Sequence, residues 1–195
     1  LPDYPGTPGA VNTLAVEALG PALSDLRHHP VVPKPGEPVT VSVVAHDPQG
    51  IGEVTLWLSV DEGVYWNYTM SVTESGRYEV VVPGFPLDAM VQMVVVAEDG
   101  DGAQSEFPPE GQQSRALFRA SAPAGETHGK RSVRIWMTAS DSEWLHAEPN
   151  LMSNDKVGAT VIYDDRDIFY DVGLRGNGSQ RGRGVDARHG FALYF

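Results

Sequence analysis

The sequence predicts a mostly β protein: an antiparallel two-sheet sandwich followed by a partial, β-rich α+β segment. Two observations carry this reading. Short runs between residues 38 and 120 alternate apolar with polar side chains at period two, as strands with one buried face do, and no helical period is sustained there. Turn residues punctuate the runs, with 21 glycines and 15 prolines in 195 residues and no collagen-like repeat. A hydrophobic content of 41% is enough to build packed cores.

Residues 1–25 are rich in proline, glycine and small side chains, and Pro21 limits any helix or strand there, so they read as a lead-in, the end of an upstream module. A first strand is expected over 26–32. The run 38–47 sets Val39, Val41, Val43 and Ala45 against Thr40, Ser42, Val44 and His46, and residues 47–50 (Asp-Pro-Gln-Gly) supply a turn. Further strands are expected at 53–61, 65–73, 77–84, 90–99 and 114–120, with the very apolar 90–99 run placed centrally. About seven short strands over 26–124 fit a sandwich of immunoglobulin or fibronectin type III style. Trp57 stands where a core tryptophan could sit, although the cysteines of antibody domains are absent.

The polar stretch 123–130 breaks this rhythm and marks a boundary near 125. Beyond it, 131–138 alternates Val133, Ile135 and Met137 with polar or mixed neighbours. Ser140 and Glu143 then have the spacing of a capping box for a short helix that ends before Pro149. Residues 158–164 and 167–176 read as a hairpin joined through Asp164 and Asp167. The run 189–195 is a last strand with Phe191, Leu193 and Phe195 on one face. Such an apolar strand calls for cover, either from a continuing polypeptide beyond 195 or from a strand-pairing protein partner.

The charge excludes some partners. Residues 1–124 carry 16 acids against 5 bases and residues 125–195 carry 10 against 9, for a net −12. That field opposes nucleic-acid backbones. Four arginines follow Gly173, which reads as a solvated loop or a phosphate contact. No apolar run approaches the roughly 20 residues of a membrane helix. Without cysteine there are no disulfides and no thiolate chemistry. No Walker loop, dinucleotide fingerprint, zincin motif or nucleophile elbow occurs, so no catalytic residue is assigned. Glu98, Asp99 and Asp101 place three carboxylates on a glycine-supported turn, where calcium is one reading and an ordinary Asp-Gly turn the other. Trp66 and Tyr68, two apart on a strand, would stack on a sugar if their shared face met solvent.

The order of pieces over 131–195 (the strand, the Trp144 element, the hairpin, the run Gly-Leu-Arg-Gly-Asn-Gly-Ser-Gln at 173–180, and the Phe191–Phe195 strand) resembles the opening of the CotH family. These are spore-coat and surface proteins with a protein-kinase-like fold. Residues 7–13 are similar to the close of a lamin-tail module, and 91–118 to the end of a sandwich found in large bacterial proteins of that kind. The resemblance implies a secreted or cell-surface, bacterial, multidomain parent, whose complete form transfers phosphate from ATP, with Mg, to protein Ser or Thr. It implies a nucleotide-facing loop at Gly173, Arg175, Gly176, Asn177 and Ser179, with Arg188 in place of the family's lysine. The metal-binding and catalytic carboxylates would lie beyond residue 195, so this chain itself would be an inactive accessory sandwich with the start of that domain. The alternative is a non-catalytic surface protein that adheres, binds carbohydrate or self-assembles.

Overall fold

The computed structural model describes residues 19–122, 131–177 and 190–195. The boundary stretch 123–130 and residues 7–13 lie outside them. Among the described residues three antiparallel sheets form. The first is β1 (Ala22–His29), β2 (Val39–His46), β6 (Tyr78–Val82) and β5 (Ser71–Val72), in the order β1-β2-β6-β5. The second has the order β4-β3-β7-β8, from β3 (Ile51–Val60), β4 (Trp66–Thr69), β7 (Met90–Asp99) and β8 (Gln104–Phe107). β9 (Leu117–Arg119) joins β7 on the edge that β8 also uses, at Met90–Gln92, where β8 pairs further along at Val95–Glu98. The mostly β, antiparallel sandwich expected from the alternation is thus what the chain forms.

Period two decides what is buried. Val39, Val41 and Val43 of β2 face Val54, Leu56 and Leu58 of β3 and Val91, Met93, Val95 and Ala97 of β7 in one core cluster, closed by Val82 and Phe118. Full burial of each such Val, Leu, Met or Phe side chain contributes about 1.5–3 kcal/mol. β7 is buried on both faces over much of its length, as expected for a central strand.

The third sheet is a meander, β10-β11-β12-β13, from β10 (Val133–Trp136), β11 (Val157–Tyr163), β12 (Asp167–Asn177) and β13 (Gly190–Tyr194). Its strand ladder is its own, but its packing and side-chain hydrogen bonds reach the sandwich. Trp136 and Ile162 belong to the sandwich core, and Ile168 and Tyr170 pack against it. Thr160 of β11 accepts the Leu117 amide at 2.9 Å and donates to the Arg115 carbonyl at 2.5 Å. Arg115 lies across β11 at Gly158, where a Cβ would come within 2.5 Å of Arg115 Cγ. The Arg115 guanidinium bonds Asp141 at 2.5 Å, and its amide donates to Asp171. The opposite face packs Val157, Ala159 and Leu174 against Leu145 of the helix α1 (Ala139–His146), with Phe191 and Leu193 beside them. Phe195 stays 80% exposed and meets Phe169 edge-on, their centroids 5.2 Å apart.

Several expectations are corrected. The first strand begins at Ala22, within the expected lead-in, and β8 was not anticipated. α1 is capped by Thr138, whose Oγ1 accepts the Asp141 amide at 3.2 Å, rather than by Ser140. Ser140 instead bonds Glu62 of the turn after β3. Trp57 is not a core residue, because Val54, Leu56 and Leu58 take the inner face and leave it the outer one.

Candidate functional site

The acidic turn after β7 is organised by one of its own carboxylates. Asp99 is buried, and its Oδ1 accepts the amides of Asp101 at 2.9 Å and Ala103 at 2.8 Å. Glu98 accepts Gln104 Nε2 at 2.7 Å. Among the described residues no group of three or more His, Asp or Glu is placed to hold a metal ion, Glu98, Asp99 and Asp101 included.

The segment expected to face a nucleotide is a strand. Gly173, Arg175, Gly176 and Asn177 are rungs of β12, opposite Tyr194, Ala192, Phe191 and Gly190. Arg175 donates to the Tyr194 hydroxyl at 2.8 Å and to Asn154 Oδ1 at 2.7 Å. Ser179 and Arg188 lie outside the described residues. The three aspartates of the β11–β12 turn are paired, Asp164 with Arg131, Asp165 with Arg134 and Asp167 with Arg166. Those guanidiniums hold each carboxyl below its usual range. The phosphate-transfer expectation is therefore corrected. Its described loop residues form a hydrogen-bonded ladder, its arginine is engaged, and the described residues assemble no metal cluster.

The expected stacking pair shares a face, but it is the inner one. Trp66 and Tyr68 stand opposite Leu58 and Leu56 on the edge strand β4. Tyr68 packs against the core, and Trp66, at the margin, is 39% exposed.

The outward face of the β4-β3-β7-β8 sheet is chemically different. Cross-strand pairing sets Asn67, Trp57 and Val94 in one row and Thr69, Thr55, Val96 and Glu106 in the next. Glu53 and Gln104 follow beyond, and Gln112 of the short helical turn Gly111–Gln113 closes one side. Together they line a shallow groove of about 460 Å³. The buried Gln92 fixes that turn, its Nε2 donating to the carbonyls of Gln112 at 2.9 Å and Ser114 at 2.6 Å. Glu53 accepts the Thr69 hydroxyl at 3.2 Å. The side chains of Asn67, Glu106 and Gln112 are exposed and form no hydrogen bond with another described residue. The groove thus offers one half-buried indole with Asn67, Glu106 and Gln112 uncommitted around it, while Glu53 and Gln104 are engaged with Thr69 and Glu98. A second concavity, of about 400 Å³, lies between the sandwich and β10, but its acids are committed. Asp61 accepts the Met90 amide, Glu62 accepts from Ser140 and Asp88 pairs with Arg119.

The groove was readable in part. The run Val54-Thr55-Leu56-Trp57-Leu58 already sends Trp57 to the face opposite the leucines. Gln104, Glu106 and Gln112 lie too far along the chain to be joined to it without the pairing of β7 with β8.

No helix among the described residues is long and apolar enough to cross a membrane. No family model matches the chain and no curated protein matches it, so the CotH resemblance rests on its motifs alone. Among solved structures, a crystal structure of a Br derivative of BhCBM56 matches at 20% identity, over 51% of this chain and 100% of that one, with a TM-score of 0.33. A likeness that slight transfers nothing about a ligand.

Proposed function

We propose that this chain is a non-catalytic binding module of a secreted or cell-surface protein, and that it holds glycan in the groove around Trp57. The observation behind this reading is an indole placed outward on a rigid sheet beside Asn67, Glu106 and Gln112, whose side chains hydrogen-bond to no other described residue. An indole covers the C–H face of a pyranose, while amides and carboxylates exchange hydrogen bonds with its hydroxyls. Few convergent polar groups around an apolar platform is the usual make-up of a small-molecule site. The sheet supplies pre-organisation, because Trp57 is held between two hydrogen-bonded neighbours, β4 and β7.

Affinity electrophoresis against soluble β-glucan, xylan, mannan and dextran tests this. Retardation by at least one polymer is expected, with a loss of about tenfold or more in Trp57→Ala, since truncation of a central aromatic anchor costs upwards of 1.4 kcal/mol. The melting temperature of that variant should stay close to wild type, because Trp57 lies outside the core. Trp66→Ala should change binding by less than about twofold. No retardation by any polymer, or equal retardation of wild type and Trp57→Ala, would overturn the proposal.

A further inference from the structure

Resting on that reading of the groove, we infer that Glu53 and Glu106 make it select polysaccharides by the sign of their charge, admitting neutral and amine-bearing chains and rejecting uronates and sulfates. Both glutamates line the groove on the Thr55 side of Trp57: Glu53 two rungs beyond Thr55 on β3, and Glu106 in the Thr55 row, across β7 on β8. Glu98 adds a third carboxylate on the same outward face, opposite Glu53. No lysine or arginine is among the lining residues to offset them. Arg115 and Arg119 are turned to Asp141 and Asp88 instead. The wider field has the same sign, with 16 acids against 5 bases over residues 1–124.

The chemistry separates the three classes of chain. A carboxylate accepts hydrogen bonds from sugar hydroxyls, so a neutral chain satisfies Glu53 and Glu106 with no charge cost. A protonated amine adds attraction. A uronate or sulfate ester brings like charge beside two glutamates and leaves their lone pairs without donors. At separations of about 7 Å in water, two such repulsions weaken binding by roughly fivefold at low salt, and they fade as the Debye length shrinks from about 10 Å at 0.1 M to about 3 Å at 1 M.

The test uses β-glucan, xylan, mannan and dextran, each unmodified, lightly carboxymethylated or lightly aminoethylated, so that linkage is constant and only charge changes. For a polymer that binds, carboxymethylation is expected to weaken binding about fivefold at 0.05 M salt and aminoethylation to strengthen it, and 1 M salt should bring the three forms together. The Glu53→Gln/Glu106→Gln variant, which keeps an acceptor at each position, should lose most of the discrimination, read as the ratio of its own affinities for the three forms of one polymer rather than against the wild type's affinity for the unmodified one. If the wild type binds neutral and carboxymethylated forms equally at low salt, or if the double variant keeps the full discrimination, the charge filter is overturned while the groove stands. If no unmodified polymer binds, groove and filter fall together.

Discussion

His28 is held between two sheets at the junction of the sandwich with the β10–β13 meander. Its Nδ1 meets the Tyr170 hydroxyl at 2.6 Å, its Nε2 the Val31 carbonyl at 3.0 Å, and its ring lies 5.1 Å from that of Phe118. A carbonyl can only accept, so Nε2 carries the proton and Nδ1 takes one from Tyr170. Burial holds the imidazole neutral and lowers its pKa from 6.5 to about 4. The unfolded chain therefore binds the proton first as pH falls, and the stability His28 contributes is complete above about 6.5 and lost progressively towards pH 4. The gap is worth at most about 3 kcal/mol. Urea melts of wild type and His28→Phe at pH 7 and pH 4.5 should show a stability difference between the two proteins that narrows with acid. A difference independent of pH would mean that the imidazole is not kept neutral by the fold. Asp99 acts at the same scale: since its carboxylate already serves two backbone amides, millimolar calcium should leave the melting curve unmoved.

Elements were legible in proportion to how strongly one face was buried. β2, β3 and β7 announce themselves by alternating or continuous valines and leucines, and β7 was anticipated at its observed bounds, Met90–Asp99. β8 (Gln-Ser-Glu-Phe) has no apolar alternation to read, because it lies at a sheet edge and owes its existence to the backbone of β7. β1 starts at Ala22, ahead of the expected 26–32, because its sequence offers only two leucines and its register shifts between Ser24 and Arg27. The period-two reading of 167–176 as a strand agrees with β12, while the loop at Gly173–Asn177 came only from the family resemblance; Gly173 faces Lys156 and Tyr194, where a Cβ would meet Lys156 Cδ at 3.1 Å. The helix cap moved as well: Ser140 satisfies a box by spacing, but Thr138 has the extended backbone that a cap requires. Thr138→Ala should thus cost about 1 kcal/mol, and Ser140→Ala mainly the bond to Glu62. Chemical denaturation of both variants ranks them, and a larger loss for Ser140→Ala would reverse the assignment.

At the scale of the whole molecule, the sheets share packing that the change in sequence rhythm near residue 125 did not foretell. Ile162 and Trp136 complete the core begun by Val41 and Leu56, and Thr160 is hydrogen-bonded into the β9 backbone from across the junction. Ile162→Ala should consequently cost about 2–5 kcal/mol and lower a transition common to both parts. Calorimetry showing two independent transitions, only one of them shifted, would contradict a continuous core. The same architecture separates two kinds of inheritance. From Val54 to Leu58 every second residue of β3 answers to the interior, while Thr55 and Trp57 between them face outward. Exchanging Thr55, Trp57, Asn67 or Gln104 leaves Leu56 and Leu58 undisturbed, so a lineage can rewrite what this surface presents, one outward position at a time, without renegotiating how the chain folds.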